Sequence, residues 1–210
     1  MAARGEVMIA FMLMVVASPM AAAMPLADSV RLSTGYDMPL VGIGTWQYND
    51  SRAYDAVYNA VKVGYRHIDT ALGYNNQVGV GKAIAQALTD FHLLREDLFI
   101  VSKIPGGLNA SATEAATSLA LQQLFPGDKA GYVDLMLTHF PATWSGGGGK
   151  AARQAEWKGL EAFVKGGGAR SIGISHYCRK HLDDVLEIAT IKPAVNQVQY
   201  HGEREREGEG

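Results

Sequence analysis

Four side chains that can exchange or orient protons follow three of the apolar segments in this 210-residue sequence. Asp69 closes one apolar segment, and Tyr74 comes five residues later, in the loop that follows it. Lys103 and His139 each stand at the end of a later apolar segment. Because an ionisable group at the end of an apolar strand costs free energy unless it has a partner, we expect the four to converge on one pocket.

Together these groups have the chemistry of a proton-delivery site for a carbonyl group. A tyrosine hydroxyl has a reference pKa of about 10, too high for efficient proton transfer near neutrality. A lysine ammonium beside Tyr74 favours the phenolate and lowers that pKa, while an aspartate holds the lysine charged and in place. A histidine such as His139 can hydrogen-bond a carbonyl oxygen and polarise it. The hydride for a reduction must then come from another molecule.

Each of these residues also has a purely structural interpretation. Asp69 can be a turn former and Tyr74 a surface aromatic residue. Lys103 can be a lone ion-pair partner, and His139 can be a core histidine. This interpretation suffices for any one of them. It does not account for four suitable residue types at the ends of three successive strands, so the sequence favours a catalytic site.

The segments that position these residues alternate between strand-like and helix-like patterns. Apolar and β-branched runs predict six strands, at residues 40–44, 67–70, 98–102, 133–138, 171–175 and 194–198. Apolar residues at helical spacing predict helices at residues 51–63, 80–88, 157–164 and 181–190, and a further helix that opens on a capping box at Ser111 and Glu114. This alternation, with nearly continuous apolar strands, is typical of an α/β fold with a parallel sheet.

The lack of a glycine-rich phosphate loop favours a closed barrel over an open, doubly wound sheet. A dinucleotide-binding loop has the pattern G-x-G-x-x-G, but Gly42 and Gly44 are followed by Thr45, Trp46 and Gln47. The later glycine run, residues 146–149, also lacks the pattern of a Walker loop. In a (β/α)8 barrel the active site lies at the C-terminal ends of the strands, where the four candidate residues stand.

Several stretches of the sequence resemble the aldo-keto reductase family. They are residues 38–46 (MPLVGIGTW), 64–71 (GYRHIDTA) with Tyr74 and Gly81, 102–103 (SK), 137–139 (LTH), 171–175 (SIGIS) and 192–197 (KPAVNQ). These motifs occur in the family's order and spacing from about residue 29 to residue 201. The resemblance implies a (β/α)8 TIM-type barrel that reduces aldehydes or ketones with NADPH, generally without a metal ion.

The resemblance also implies roles for individual residues. Tyr74 matches the general acid, and Lys103 matches the residue that lowers its pKa. Asp69 matches the partner of that lysine, and His139 matches the residue that orients the substrate carbonyl. Positions that contact the cofactor are matched by Asp69, Thr45, Trp46, Ser175, His176 and Gln197. Of these, Ser175, His176 and Gln197 correspond to the positions that hold the nicotinamide carboxamide, and Trp46 also lines the substrate pocket with His139.

The sequence departs from the family pattern at three places. The family usually has Ser-Asn where this chain has Ser175 and His176, and Glu where this chain has Gln77. After residue 201 the family continues through two more strands, whose loops supply an aromatic stacking residue and the pocket for the adenosine 2′-phosphate. We therefore expect about six of the eight βα units. Two interpretations account for the missing strands. The sequence is a fragment or an altered gene product, or the chain closes its barrel with a partner chain.

Composition excludes several other classes of protein. Nineteen basic and 21 acidic residues leave a net charge of −2, which gives no electrostatic basis for nucleic-acid binding. Cys178 is the single cysteine, which excludes an intrachain disulfide and argues against a structural zinc site. The expected partner is the one that the family resemblance implies, a small-molecule carbonyl substrate. The alternative function is a non-catalytic module that binds a nicotinamide cofactor or regulates another protein.

The two ends of the chain differ in composition from the middle, which alternates between strand-like and helix-like patterns. Residues 1–23 combine Arg4, an apolar run at 7–17 and small residues at 21–23, the pattern of a signal peptide. The run is too short for a comfortable membrane span, so we expect none after leader removal. An uncleaved anchor or a start at Met24 are the alternatives. Residues 1–23 predict the secretory pathway, whereas the family is usually cytoplasmic. Residues 24–201 form the barrel-like domain, and residues 202–210 predict a polar, disordered tail.

Overall fold

The computed structural model describes residues 28–199 and contains one hairpin and one parallel sheet. The hairpin consists of two antiparallel strands, β1 (Ser29–Arg31) and β2 (Asp37–Pro39). Six parallel strands follow in chain order and form one curled sheet: β3 (Ile43–Gly44), β4 (His67–Asp69), β5 (Phe99–Ile104), β6 (Val133–Thr138), β7 (Ala169–Ser175) and β8 (Asn196–Gln197). Each strand pairs with its neighbours in the chain, so that β4 to β7 have two partners each, while β3 and β8 lie at the edges of the described sheet.

Five helices connect these strands and cover the outer face of the sheet. They are α1 (Asp50–Lys62), α2 (Gln77–Asp90), α3 (Ala110–Leu124), α4 (Lys150–Lys165) and α5 (Arg179–Leu186). Each helix follows one of the strands from β3 to β7, so the chain builds successive βα units. The prediction of an incomplete (β/α)8 barrel with six strands is confirmed.

The two faces of the sheet bury two separate apolar clusters. The larger cluster fills the space between the sheet and the helices and includes Val57, Ile100, Met136, Leu160 and Ile172. The smaller one lies on the inner face and consists of Leu32, Phe99, Val101, Leu135 and Leu137. Neighbouring residues of β5 and β6 thus point to opposite faces, as the period of two in a strand requires.

The N-terminal hairpin was not predicted from the sequence. Leu32, between its two strands, belongs to the inner cluster with Phe99. The hydroxyl groups of Thr34 and Ser171 lie 2.7 Å apart, and the ring Nδ1 of His67 lies 2.8 Å from the carbonyl oxygen of Pro39. Because these contacts fall at the starts of β4, β5 and β7, the hairpin covers the N-terminal end of the sheet, away from the candidate catalytic residues.

Several helix boundaries differ from the sequence-based predictions. Helix α3 begins at Ala110, because the side-chain oxygen of Asn109 accepts a hydrogen bond from the backbone N–H of Ala112 at 2.9 Å. The predicted capping box at Ser111 is therefore wrong, since Asn109 already caps the helix. Helix α5 ends at Leu186 rather than at residue 190, and α2 begins at Gln77 rather than at residue 80.

The predicted leader (residues 1–23) and the predicted tail (residues 202–210) lie outside the described residues. Within residues 28–199, no helix is both long enough and apolar enough to cross a membrane. The expected location therefore stays a prediction.

Candidate active site

Strand alternation brings the predicted catalytic residues to one end of the inner face. Lys103 continues the row formed by Phe99 and Val101 on β5, since side chains two residues apart share a face. His139 follows β6 on the same face as Leu137. Asp69 ends β4, where it pairs with Val101 of β5. The expected convergence is present in the structure.

The ammonium group of Lys103 lies at the centre of this arrangement and is 1% exposed. Its Nζ donates to Oδ1 of Asp69 at 2.5 Å and to the backbone carbonyl oxygen of Thr70 at 3.1 Å. A third hydrogen bond, of 3.3 Å, reaches the hydroxyl oxygen of Tyr74. Tyr74 ends a short 3-10 turn (Leu72–Tyr74) that carries it back over β4 toward the lysine. The buried cation thus has three oxygen partners, one of which is the phenol.

The electrostatic balance at Tyr74 is the reverse of the predicted lowering. Burial, with a further contribution from the charge of Asp69, raises the pKa of Tyr74 to about 12. Burial also lowers the pKa of Lys103, although Asp69 acts in the opposite direction. The carboxylate beside the ammonium offsets the field that the lysine alone would exert on the phenol. Tyr74 is therefore a protonated phenol at neutral pH in the free protein.

His139 faces Tyr74 across the mouth of the site. The two rings meet edge to face, with their centroids 5.5 Å apart. Burial lowers the pKa of His139 to about 4, with smaller contributions from the charges of Lys103 and His176. The imidazole is therefore neutral at physiological pH. A neutral ring still carries one N–H, which can donate a hydrogen bond to a carbonyl oxygen.

Tyr74 and His139 open into a cleft of about 620 Å³. Its walls are mainly aromatic, and they include Trp46, Tyr74, Phe140, Trp144 and His176. Phe140 stacks between His139 and His176, with centroid distances of 4.5 and 4.6 Å. The cleft can enclose a small carbonyl compound whose reactive oxygen points toward Tyr74 and His139.

Phe140 and Trp144 were missed as site residues by the sequence-based reasoning. Phe140 directly follows His139, so its position beside a candidate catalytic residue was the available signal. Trp144 is 90% exposed, and its ring meets Phe140 edge to face at 5.5 Å. Nothing in its sequence context, next to the glycine run at residues 146–149, marked it as part of the cleft.

The predicted cofactor residues on β7 and β8 are linked to the same centre. The hydroxyl of Ser175 donates to the backbone carbonyl oxygen of Gln197 at 2.9 Å. The side-chain amide of Gln197 donates to Oδ2 of Asp69, also at 2.9 Å. Ring Nδ1 of His176 lies 2.9 Å from the Ser175 hydroxyl and 3.2 Å from the backbone carbonyl oxygen of His139. Because a backbone carbonyl oxygen can only accept, Nδ1 of His176 is the donor to His139, and in the neutral tautomer Nε2 is left as an acceptor.

Thr45 and Trp46 differ sharply in exposure, although they are neighbours. Thr45 is fully buried, and its hydroxyl donates to the hydroxyl of Thr70 at 2.9 Å. Trp46 is 62% exposed and lies at the cleft. Thr45 therefore fixes the end of β4 beneath the site, whereas Trp46 is free to contact a ligand.

The residues present fit the nicotinamide end of the predicted cofactor. Ser175, His176 and Gln197 offer a hydroxyl, an imidazole nitrogen and an amide, the donors and acceptors that a carboxamide requires. His176 has a φ of +58°, in the left-handed region, where Asn, Asp and His are the most frequent residues other than Gly. A histidine can therefore adopt the backbone conformation of the position at which the family usually has Asn. Within the described residues, no group of three His, Cys, Asp or Glu could hold a metal ion.

Comparison with known proteins gives a consistent result. The model of the Aldo/keto reductase family matches residues 40–210. The chain is 38% identical over 191 residues to a probable NAD(P)H-dependent D-xylose reductase of Emericella nidulans. This match covers 82% of the present chain and 59% of that protein. It is 39% identical over 188 residues to an aldo-keto reductase of Arabidopsis thaliana, with coverages of 84% and 58%. The chain thus spans about three fifths of the length of these curated relatives.

Solved structures agree with the curated relatives. An aldo/keto reductase from Brucella melitensis superimposes with a TM-score of 0.74 at 32% identity, over 83% of this chain and 64% of that chain. A Bombyx mori aldo-keto reductase in complex with NADP also gives a TM-score of 0.74, at 29% identity and with coverages of 83% and 58%. Each superposition extends over most of the present chain and over about three fifths of the solved chain.

Proposed function

Because this chain belongs to the aldo-keto reductase family, we propose that its site reduces the carbonyl group of an aldehyde or ketone with a hydride from NADPH. One observation carries the proposal. The buried ammonium of Lys103 joins Asp69 to the Tyr74 hydroxyl, which faces His139 at the mouth of a cleft. This is an assembly that holds a proton at one point, where a carbonyl oxygen can receive it.

NADPH, when bound, supplies the hydride that adds to the carbonyl carbon. Ser175, His176 and Gln197 would hold the nicotinamide carboxamide, and Asp69, Thr45 and Trp46 complete the predicted cofactor contacts. Nε2 of His176 is left as an acceptor, so it suits the N–H groups of a carboxamide. The imidazole would thereby replace the Asn that the family usually has.

The proton moves from Tyr74 to the substrate oxygen. As negative charge develops on that oxygen, the neutral imidazole of His139 donates a hydrogen bond to it and orients it. The O–H bond of Tyr74 breaks as the alcohol O–H bond forms. The remaining phenolate lies 3.3 Å from Nζ of Lys103, which stabilises its charge.

Oxidation of NADPH with a reactive aromatic aldehyde tests this proposal. We expect absorbance of the reduced cofactor to fall in proportion to enzyme, and the alcohol to accumulate in equal amount. The alternative function, a non-catalytic cofactor-binding module, predicts binding of NADPH without its oxidation. Binding alone, under conditions in which the chain is folded, would contradict the reductase proposal.

We also propose that the chain enters the secretory pathway by way of residues 1–23 and that it is a fragment of a longer protein. The leader pattern supports the first statement, and the coverage of the relatives supports the second. The intact mass of the native protein tests both. A mass of about 30 kDa or more supports the longer protein, and a native protein that lacks the mass of residues 1–23 supports removal of the leader, whatever the length of the chain.

A further inference from the structure

Glu156 is a buried carboxyl group that the proposed reaction does not use. It lies on α4 and is 1% exposed, and its Oε1 has no hydrogen-bond partner among the described residues. Its Oε2 accepts a hydrogen bond from the backbone N–H of Gly107 at 3.2 Å. An acid that is buried with an unpaired oxygen costs free energy, so a structural or functional reason for its presence is expected.

The Gly107 amide belongs to a loop that forms one wall of the cleft. Pro105 and Gly106, which precede it, line the cleft directly. A Cβ atom at Gly106 would lie 1.9 Å from the backbone carbonyl oxygen of Phe140, so no side chain could fit between the two loops. Gly107, at a φ of +77°, lies against Thr143 in the same way. A movement of the Gly107 loop would therefore displace the segment that carries Phe140.

Helix α4 holds both loops from the outer side of the sheet. Arg153, one helical turn before Glu156, donates to the carbonyl oxygen of Pro141 at 2.9 Å. Nε and Nη2 of the same guanidinium donate to Oδ2 of Asp184 on α5. Arg153 is thus already engaged and does not neutralise Glu156. The helix contacts one cleft loop through Arg153 and the other through Glu156.

We propose that Glu156 is a positioning residue whose carboxyl group holds the Gly107 loop, and through it the aromatic wall, in the conformation that receives the substrate. The effect on substrate binding rests on the proposed function, whereas the contact with Gly107 does not. The other polar groups around Glu156 are the Thr138 hydroxyl on β6, the Tyr177 hydroxyl after β7, Arg153 on its own helix and Asp184 on α5.

The protonation state of Glu156 makes this contact sensitive to pH. Burial raises the pKa of Glu156 to about 8, against the effects of the Gly107 N–H and of the nearby Thr138 hydroxyl, which favour the ionised form. Burial also raises the pKa of Tyr177, and the pKa of Asp184 lies below its usual value because Arg153 binds it. Glu156 is therefore the member of this group that changes charge just above neutrality. Once ionised, it gains by turning toward water, which frees Gly107.

Backbone NMR of the full chain tests the contact without reference to catalysis. We expect the ¹⁵N shift of Gly107 to titrate with a midpoint near pH 8 in the parent and to stay flat in Glu156→Gln. Glu161→Gln is the matched control, because Glu161 lies on the same helix and accepts from the backbone N–H groups of Thr190 and Ile191, in another loop. In the Glu161→Gln variant, the ¹⁵N shift of Gly107 should titrate with the same midpoint as in the parent. A flat Gly107 shift in the parent, or an unchanged titration in Glu156→Gln, overturns the proposal.

Kinetics with an aromatic aldehyde test the consequence for the cleft. Between pH 7 and pH 9 we expect KM of the parent to rise about fivefold, with kcat changed less than KM, because ground-state binding is weakened. Glu156→Gln should show a rise of less than about twofold, and Glu156→Ala should show a raised KM already at pH 7. Equal KM profiles for the parent and Glu156→Gln contradict the positioning role. A parent that titrates at Gly107 but never turns over contradicts the proposed function instead.

Discussion

The ammonium nitrogen of Lys103 lies 3.3 Å from the hydroxyl oxygen of Tyr74, although the two residues belong to different βα units. The same nitrogen binds Asp69, so the phenol is adjacent to a neutral ion pair rather than to a free cation. Burial, with a further contribution from the charge of Asp69, raises the pKa of Tyr74 to about 12. The site is therefore organised to store a proton and to stabilise the phenolate only after that proton has left.

Replacement of Tyr74 by phenylalanine should remove the proton donor and leave the cleft in place. We expect kcat for aldehyde reduction to fall by about 10²- to 10⁴-fold, the usual contribution of a general acid. The affinity for NADPH, measured by fluorescence titration, should change by less than about twofold. Tyr65→Phe is the control, because Tyr65 is partly exposed and outside the site. Full turnover in Tyr74→Phe would refute the assignment of the acid.

The Asp69–Lys103 ion pair should show strong coupling in a double-mutant cycle. Asp69→Asn leaves the 1% exposed ammonium of Lys103 without its counter-charge, and we expect a loss of about 2–3 kcal/mol in the free energy of unfolding. Lys103→Met in the same background should restore part of that loss, because the unpaired charge is gone. Urea denaturation measures both effects. Strictly additive losses would contradict the coupling, and activity should stay absent in the double variant.

The pH dependence of the two reaction directions should differ. Carbonyl reduction needs the phenol form of Tyr74, and with a pKa of about 12 this form prevails at every pH up to 9. We therefore expect kcat for reduction to be nearly flat from pH 6 to pH 9. Alcohol oxidation needs the phenolate, so its kcat should rise about tenfold per pH unit. A break in the reduction profile between pH 6 and 7 would show that His139 is charged in this range, contrary to its pKa of about 4.

Glu156 should make the stability of the protein fall as the pH rises. Its pKa is raised from 4.5 to about 8 in the folded state, so between these values the folded protein binds more protons than the unfolded chain. The stabilisation is complete below pH 4.5 and is lost as the pH rises through 8. We expect Glu156→Gln to gain on the order of 2–4 kcal/mol relative to the parent between pH 5 and pH 8. A pH-independent difference in urea denaturation would contradict this expectation.

Asp134 should matter for stability and not for catalysis. This 1% exposed carboxylate accepts from Arg95, from Arg170 and from the backbone N–H of Ile100. Asp134→Ala leaves these donors unpaired, and we expect a loss of about 2–4 kcal/mol. Asp37→Ala removes an exposed ion pair with Arg31 and should cost less than about 1 kcal/mol. Urea denaturation measures both, and kcat of the folded variants should equal that of the parent.

Local patterns were sufficient to predict the elements of the sheet and most of the residues of the candidate active site. Parallel strands that follow one another in sequence place their C-terminal ends at one edge, so Asp69, Lys103 and His139 had to lie close together. The contacts that no local pattern encodes were missed. The hairpin that ends at Pro39 has too few residues for a clear periodicity, and the cap at Asn109 depends on which of two neighbouring polar side chains reaches the first free N–H groups.

By itself, the sequence determined the family, the order of the βα units and the four residues proposed to transfer and orient the proton. These properties follow from residue types and from spacings of a few residues, which are the same in every conformation of the chain. Tertiary structure alone decided the protonation states, the cap on α3, the aromatic wall of the cleft and the contact between Glu156 and Gly107. Each of these depends on which distant residues exclude water from a group or supply its hydrogen bond, and burial of this kind exists only once the chain has folded.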